Sequence, residues 1–336
     1  MTLTLSKNAE AVMKRVRERD PFGSGTADEV AARLAQHNNF IVPFGIPTLD
    51  AISGGGIHPG RIHLFWGRKH GGKTTAAINV IREAQKLGVQ CVFIDTEGSN
   101  ADDVGKAYIR SLGVDTAKLI MCQPTSLEEA GQALQDFCSV PDFGLIVYDS
   151  LAAGTAEKVF EKEFGESVPF IRATRNADLA SRVSTLIARN RNRFIGITHE
   201  TNPTDQYSRP EAQGGKKFPF LASLELQFST AGSPNTAGGK KDAPAVSQDV
   251  TVTNKKSKVG AAYGKTQLVL NVGSGFDIEL DTLRFATQLG IIERAAAWLR
   301  YKEEKWNGEQ AALGALQNDP ALLDAIRHDI TAKLAA

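Results

Sequence analysis

The 336-residue chain has few cysteines, no clustered histidines and almost no excess of either charge. Its three cysteines, Cys91, Cys122 and Cys138, lack metal-ligand spacing, and two of them lie inside apolar runs. The six histidines are scattered and form no zinc-binding pattern. This usage argues against a disulfide framework and against a zinc site, and we expect buried thiols in a reducing compartment.

Long apolar runs are also missing. No run approaches the length needed to cross a bilayer, and residues 1–20 lack the apolar core of a secretory signal. We therefore expect a cytoplasmic protein with no membrane partner. With 42% apolar and 23% charged residues, the chain can bury a large core in one large or two unequal domains.

One glycine-rich segment fits the phosphate-binding pattern G-x-x-x-x-G-K-[ST]. It follows an apolar run at 62–65 that is typical of a buried strand, and it precedes helical spacing at 74–87. In this context backbone N–H groups surround phosphate oxygens, the lysine reaches the β and γ phosphates, and the threonine hydroxyl ligates Mg²⁺. The alternative is a glycine-rich surface turn. The predicted nucleotide-binding residues of this segment are Gly67, Arg68, Lys69, His70, Gly71, Gly72, Lys73, Thr74 and Thr75.

Strand and helix signals alternate through the first two thirds of the chain. Strand-like runs lie at 62–65, 90–94, 119–122, 145–148 and 194–198, and helical stretches lie at 74–87, 102–112, 127–137 and 170–190. This alternation predicts an α/β fold with a parallel sheet covered by helices on both faces. Further strand-like runs at 223–228, 249–252 and 266–272 predict an antiparallel extension of that sheet. Two polar, glycine-bearing segments, 201–215 and 231–244, are predicted to be mobile loops.

Both ends of the chain differ from this central pattern. Residues 9–19 have helical spacing and are followed by a break at 21–25, which predicts a detached helix that docks on its own domain or on a neighbouring subunit. Residues 281–336 are predicted to be helical, with Trp298 and Trp306 in the core of a small C-terminal domain.

Polar residues at the ends of the predicted strands indicate the chemistry. In a doubly wound sheet the ligand lies at the carboxyl ends of the strands. Asp149 is predicted to hold Mg²⁺ opposite Thr74, with a strand-end cap as the alternative. Glu97 is predicted to orient and deprotonate the attacking water. His199 is predicted to contact the γ-phosphate, with an ordinary strand-end histidine as the alternative.

Ordered sequence blocks over nearly the whole chain resemble the bacterial RecA recombinase family. They are the phosphate loop with Lys73-Thr74-Thr75 and the segments 60–62, 91–97, 108–115, 122–124, 147–150, 256–258 and 298–302. The resemblance implies a RecA-type P-loop ATPase core with a mostly parallel twisted sheet and an antiparallel extension. It also implies an N-terminal oligomerisation helix and a small α/β C-terminal domain. The implied divisions are 1–36, 37–272 and 273–336.

The resemblance implies an ATP- and Mg²⁺-dependent protein that forms filaments on single-stranded DNA and pairs it with homologous double-stranded DNA. Strand exchange and DNA-dependent ATP hydrolysis follow from the same likeness. The implied partners are further copies of the chain, a single-strand binding protein and mediators. A RecA-fold ring helicase and a non-catalytic recombination mediator are the alternatives.

The family likeness also implies roles for individual residues. Tyr108 matches the aromatic residue that stacks on adenine, and Phe220 matches an aromatic residue of the subunit interface. Lys256 and Lys258 match two lysines that the adjacent subunit places against the γ-phosphate. The implied catalytic residues are Glu97, Lys73, Lys256, Lys258 and His199.

Two DNA-binding loops are implied near 157–175 and 201–215. Apolar wedges unstack bases and arginines neutralise phosphates, which suits binding without sequence preference. The candidate DNA-binding residues are Val168, Pro169, Phe170, Arg172, Arg175, Arg182, Tyr207, Arg209, Gly214 and Gly215. His199 stands where bacterial RecA has glutamine, a change that resembles phage recombinases such as UvsX. Together with a more basic phosphate-loop tip, this change indicates a divergent member with a feature of the phage recombinases, and the resemblance leaves both a phage and a chromosomal source open.

Overall fold

The computed structural model describes residues 7–19, 28–30, 32, 39–152, 168–201, 210–230, 232–239, 243–260 and 264–335. The helices are α1 (Lys7–Arg19), α2 (Pro47–Ser53), α3 (Lys73–Lys86), α4 (Asp103–Ser111), α5 (Leu127–Cys138), α6 (Val168–Asn190), α7 (Lys217–Leu221), α8 (Ile278–Gln288), α9 (Glu309–Asn318) and α10 (Pro320–Ala335). The strands are β1 (Arg61–Gly67), β2 (Cys91–Asp95), β3 (Leu119–Cys122), β4 (Leu145–Asp149), β5 (Arg193–His199), β6 (Leu224–Thr230), β7 (Asn235–Thr236), β8 (Ala245–Ser257), β9 (Lys265–Asn271), β10 (Gly275–Phe276), β11 (Glu293–Ala295), β12 (Trp298–Tyr301) and β13 (Glu304–Asn307).

A ten-stranded sheet forms the centre of the described structure. Its order is β10-β9-β8-β6-β1-β5-β4-β2-β3, with β7 paired to β8. The six strands from β6 to β3 in this order are parallel, and β8, β9 and β10 continue the sheet in antiparallel pairing. This arrangement confirms the predicted α/β fold with a parallel sheet and an antiparallel extension.

Helices cover both faces of the sheet because both faces are apolar. Successive residues of a strand point to opposite sides, so Phe93 packs in the core beneath α3 and its neighbours Val92 and Ile94 pack in the core beneath α5 and α6. Every residue of β2 and β4 is buried. Because β1, β5, β4 and β2 are neighbours in the sheet and are parallel, their carboxyl ends lie side by side along one edge of the sheet, at the ends of the strands, where polar groups can meet.

Side-chain caps fix where the helices near this edge begin. The carboxylate of Asp102 accepts a hydrogen bond from the backbone N–H of Gly105 at 2.7 Å, at the start of α4. The Ser126 hydroxyl accepts one from the N–H of Glu129 at 3.1 Å, at the start of α5. Each cap satisfies a backbone donor that the first helical turn leaves free.

The prediction from the local pattern that residues 281–336 are helical was wrong, whereas the α/β character of the C-terminal region that the family resemblance implies is confirmed. Residues 293–307 form a three-stranded antiparallel sheet, β11-β12-β13, beside α8, α9 and α10. The alternation of exposed and buried residues along β12 is the period of a strand and not of a helix. Trp306 is buried as expected, whereas Trp298 is 42% exposed with the Lys305 ammonium 4.4 Å from its ring centre.

Two smaller expectations also need correction. The predicted loop at 231–244 contains β7, whose residues Asn235 and Thr236 pair with β8. Their pairing partners lie about ten residues further along the chain, so local polarity gave no sign of the strand. Cys91 and Cys138 are buried free thiols as expected, but Cys122 is only partly buried.

The described residues include no helix that is both long and apolar enough to span a membrane. Among the same residues, no group of histidine, cysteine, aspartate and glutamate side chains forms a metal cluster.

Candidate nucleotide-binding site

The phosphate loop connects β1 to α3 and depends on glycine at both of its ends. Gly67 has φ +142, and an added Cβ would lie 1.8 Å from the carbonyl oxygen of Phe228 on the adjacent strand. Gly72 has φ +83, and its added Cβ would lie 2.7 Å from the ring of Phe276. Any larger residue would therefore collide and be strained at either position. These glycines let the loop turn directly into the N-terminus of α3, where a helix favours a bound anion.

Lys73 is buried at the start of α3 and is held by the loop itself. Its Nζ donates hydrogen bonds to the carbonyl oxygens of Gly67 at 3.1 Å and Arg68 at 2.6 Å. Burial lowers the pKa of Lys73, while the carboxylates of Asp149 and Glu97 act in the opposite direction. A cation that is 5% exposed and bonded to neutral carbonyls gains a stronger partner when an anion enters the loop.

Thr74 and Asp149 form an oxygen pair beside the loop. The Thr74 hydroxyl donates a hydrogen bond to Asp149 Oδ2 at 2.6 Å. Asp149 ends β4 and is 4% exposed, and burial raises the pKa of its carboxyl to about 6. A hydroxyl and a carboxylate in contact are the hard oxygen donors that Mg²⁺ takes beside a phosphate. The pair therefore fits Mg²⁺, whose charge would favour the ionised carboxylate that burial disfavours.

Glu97, Ser150 and His199 meet at the same edge of the sheet. Glu97 Oε1 accepts a hydrogen bond from Ser150 Oγ at 2.8 Å and lies 3.3 Å from His199 Nε2. The contact with His199 is the main cause that lowers the pKa of Glu97. His199 Nδ1 is buried and has no hydrogen-bond partner within the described residues. A carboxylate kept ionised in this way can accept a proton from water in the adjoining cavity.

A cavity of about 750 Å³ unites these groups. Residues 69–75, Glu97, Asp149 and His199 line it, together with Tyr108. The Tyr108 hydroxyl lies 2.8 Å from Thr75 Oγ1, so the ring is fixed beside the start of α3. All of the predicted nucleotide-binding residues except Gly67 and Arg68 therefore line one cavity.

One wall of the cavity has no recognisable signal in the sequence, and neither does one contact of the phosphate loop. The second wall of the cavity comes from Pro234 and from β8 and β9, through residues such as Ser247 and Asn271. Arg68 donates a hydrogen bond from Nε to Glu200 Oε1 at 2.8 Å, which ties the tip of the phosphate loop to the residue after β5. Only tertiary packing brings these segments together. Ser150 directly follows Asp149 in the sequence block at 147–150, but the sequence alone assigns it no role.

The structure places only part of the predicted DNA-binding set. Residues 168–175 begin α6, so this part of the first predicted loop is helical. Arg175 lies 3.5 Å from Glu128, and Arg182 pairs with Asp178 at 2.9 Å. Val168, Pro169, Phe170 and Arg172 are in the first turns of α6, where only the backbone is described. Tyr207 and Arg209 lie outside the described residues.

The end of the second predicted loop is described and lies close to His199. The N–H of Gln213 donates to the His199 carbonyl oxygen at 2.8 Å, and the Thr198 hydroxyl donates to the Gln213 carbonyl oxygen at 2.8 Å. Gly214 and Gly215 follow with φ of +99 and +101. Direct hydrogen bonds therefore link the strand that carries His199 to this segment.

Lys256, Lys258 and Phe220 lie away from the cavity of their own chain. Lys256 is on β8 opposite Glu225, close to the amino ends of β6 and β1, whereas the phosphate loop follows their carboxyl ends. Its Nζ donates to the carbonyl oxygens of Pro219 at 2.7 Å and Phe220 at 2.8 Å. Burial and the neighbouring Lys258 lower the pKa of Lys256. Phe220 is 71% exposed.

This loop, with its buried lysine, its threonine–aspartate pair and its place at the end of β1, defines a P-loop nucleotide-binding protein of the α/β class. Residues 7–277 match the family model of the RecA N-terminal domain. The chain therefore belongs to the RecA family of recombination proteins.

Individual relatives align over nearly the full chain. The chain is 29% identical to protein RecA of Deinococcus radiodurans over 335 aligned residues. This alignment covers 98% of this chain and 89% of that protein. It is 30% identical to DNA repair protein recA homolog 1, chloroplastic, of Arabidopsis thaliana over 342 aligned residues. That alignment covers 98% of this chain and 73% of that protein. Its fold is similar to a crystal structure of the RadB recombinase, with a TM-score of 0.52 at 16% identity, over 70% of this chain and 98% of that one. The last likeness bears on the fold alone.

Proposed function

We propose that this chain is a DNA-dependent ATPase that assembles as a helical filament on single-stranded DNA and catalyses homologous pairing and strand exchange. The observation that carries the proposal is the contact of Glu97 with His199, on a strand whose end is hydrogen-bonded to Gln213 in the second predicted DNA loop. This contact joins the candidate catalytic carboxylate to the candidate DNA-binding surface. Because the chain is a P-loop protein of the RecA family, we assign catalysis to Glu97 and DNA binding to the second predicted loop.

The proposed reaction is hydrolysis of the bond between the β and γ phosphates. Glu97 accepts a proton from water as the water oxygen bonds to the γ-phosphorus, and the electrons of the broken bond remain on ADP. Lys73 moves its hydrogen bonds from the loop carbonyls to the phosphate oxygens, where its charge opposes the charge of the transition state. Mg²⁺ held by Thr74 and Asp149 would neutralise charge on the β and γ phosphates.

The placement of Lys256 and Lys258 supports hydrolysis between subunits. Both lie near the amino ends of β6 and β1, whereas the phosphate loop follows the carboxyl end of β1. Neither lysine lines the described cavity of its own chain. We assign them to the γ-phosphate of an adjacent subunit, with Phe220 in the same interface. Charge supplied by a neighbour acts as an arginine finger does, so turnover should require assembly.

Electron microscopy separates this function from its alternatives. The chain is mixed with single-stranded DNA and a non-hydrolysable ATP analogue. Extended helical filaments are expected, whereas closed rings would indicate a helicase and isolated subunits would indicate a mediator. A joint-molecule assay with homologous and heterologous duplex DNA, with and without a single-strand binding protein, then tests strand exchange. Equal yields from the two duplexes would contradict homologous pairing.

Glu97→Gln tests the assignment of the base. The variant retains groups that can bond to Ser150 and His199 but cannot take up a proton, so turnover should fall about 100- to 10,000-fold. Filaments and ATP binding should be retained. Glu200→Gln is the matched control, because it removes a nearby carboxylate that pairs with Arg68 and does not line the cavity. Hydrolysis at the normal rate by Glu97→Gln would exclude Glu97 as the base.

A further inference from the structure

Asn176 on α6 connects two backbone segments that are far apart in sequence. It is 3% exposed, and its Nδ2 donates hydrogen bonds to the carbonyl oxygens of Leu151 at 2.9 Å and Gly214 at 3.0 Å. An amide NH₂ group has two N–H bonds, and both are used here. Because both partners are acceptors, the orientation of the amide is fixed, and no other uncharged side chain of the same size can replace it.

The first acceptor is the start of the connection from β4 to α6. Leu151 directly follows Ser150, which donates to the candidate base Glu97. The N–H of Leu151 donates to the carbonyl oxygen of Ile197 on β5 at 2.8 Å. Leu151 is thus fixed to β5 through its N–H and to α6 through its carbonyl group. In the sequence, the first predicted DNA loop lies between Leu151 and Asn176.

The second acceptor is the end of the second predicted DNA loop. Gly214 follows Gln213, which is bonded to the His199 backbone. Gly214 has φ +99, and an added Cβ would lie 3.0 Å from Asn176 Nδ2 and 3.2 Å from the Leu151 carbonyl oxygen. Glycine is needed here so that the two backbone segments can approach the same amide.

We infer that Asn176 is a positioning residue that links the nucleotide site to both predicted DNA loops. It fixes one end of each loop, at Leu151 and at Gly214, to the same point of α6. The residue before each of these, Ser150 or Gln213, is bonded to Glu97 or to the His199 backbone. A change at the nucleotide site that moves Ser150 or the end of β5 therefore reaches both loops together. The inference rests on the proposed function, because it requires that ATP and DNA affect each other's binding.

Asn176→Asp removes the donor with almost no change in volume. It places a carboxylate oxygen near two carbonyl oxygens that then lack their hydrogen bonds. Asn192→Asp is a matched control. Asn192 is 0% exposed, and its Nδ2 also donates to two carbonyl oxygens, those of Val140 at 2.9 Å and Phe143 at 2.8 Å. It precedes β5 at the amino edge of the sheet, away from the nucleotide cavity.

The assay measures ATP turnover with and without an oligodeoxythymidine strand, and the affinity for that strand with and without a non-hydrolysable ATP analogue. Asn176→Asp should weaken two effects. The stimulation of turnover by DNA should fall about tenfold or disappear, and so should the gain in DNA affinity that the analogue causes. Both changes lie within the usual range of coupling between sites. Turnover without DNA should change less than about twofold, because no group that contacts phosphate is altered. Asn192→Asp should lose a similar amount of thermal stability and retain the coupling.

Asn176→Ser provides a second test if the aspartate variant folds poorly. Its shorter hydroxyl can donate only one hydrogen bond, so it should retain part of the coupling. Full coupling in folded Asn176→Asp or Asn176→Ser protein, or equal loss of coupling in the Asn192 control, would overturn the inference and leave the proposed function intact. A wild-type chain with no response to DNA would overturn both.

Discussion

Replacing Asp149 by asparagine should stabilise the nucleotide-free protein while weakening its Mg²⁺-dependent nucleotide binding. Burial raises the pKa of this carboxyl from the ordinary 3.8 to about 6. That difference corresponds to about 3 kcal/mol at neutral pH, because each pKa unit is worth about 1.4 kcal/mol. Asparagine can still accept the hydrogen bond from Thr74, but its NH₂ group needs a partner, so we expect a net gain of about 1–2 kcal/mol.

The pH dependence has a defined sign. A carboxyl whose pKa is higher in the folded state than in the unfolded state stabilises the fold when protonated, and this contribution is lost as the pH rises through about 6. The advantage of Asp149→Asn over wild type should therefore be present at pH 7.5 and should shrink towards pH 4. Thermal melting without nucleotide measures it, with an expected rise of about 2–6 °C at pH 7.5.

Asp95→Asn is the matched control, and it should have the opposite effect. Asp95 pairs with Asp149 across the neighbouring strands and is 1% exposed. Its carboxylate accepts hydrogen bonds from the N–H groups of Gly98 at 2.9 Å and Asn100 at 2.8 Å. Asparagine offers only one acceptor oxygen, so the variant should lose about 1–3 kcal/mol. A lower melting temperature for Asp149→Asn than for wild type at pH 7.5, or unchanged Mg²⁺-dependent binding of an ATP analogue, would refute the reasoning.

Three further predictions follow from individual contacts. His199→Ala removes the main cause that lowers the pKa of Glu97, so the acid limb of the turnover–pH profile should move to higher pH; an unmoved limb would show that the contact does not control the base. Mixing Glu97→Gln with Lys256→Ala protein should restore part of the ATP turnover, because some interfaces then have both intact groups, whereas no recovery at any ratio would argue against catalysis between subunits. Gly67→Ala should lower stability by more than about 2 kcal/mol, since its Cβ meets the Phe228 carbonyl oxygen and the residue has positive φ, and a normal melting curve would contradict this.

Local patterns predicted most of the nucleotide site because its chemistry follows the ends of strands. Asp149 and His199 come directly after strand-like runs and Glu97 comes three residues after one, and parallel strands bring such positions to the same end of the sheet. The phosphate loop was recognisable because its backbone conformation requires glycine at fixed spacing. The resemblance to the RecA family added Tyr108, Lys256 on β8 and Lys258 just after β8, whose roles no local pattern indicates.

The C-terminal region shows where local patterns fail. The strands within 293–307 have only three or four residues each, and burial alternates fully only along β12, which is too short for the period to separate a strand from a helix. Trp298 and Trp306 are equally apolar, and their different burial depends on which face of this small sheet packs against the helices.

The residue pattern alone establishes the order of strands and helices in the parallel sheet, the phosphate loop and the residues that follow each of its strands, because these depend on backbone preferences and on periodic burial of apolar side chains. Packing between separate elements sets the bonds of Asn176 to Leu151 and Gly214, the contact of Arg68 with Glu200, and the position of Lys256 away from its own phosphate loop. Each of these depends on a hydrogen-bond partner or a distance set by how separate elements pack, and such a partner leaves no periodic trace in the chain.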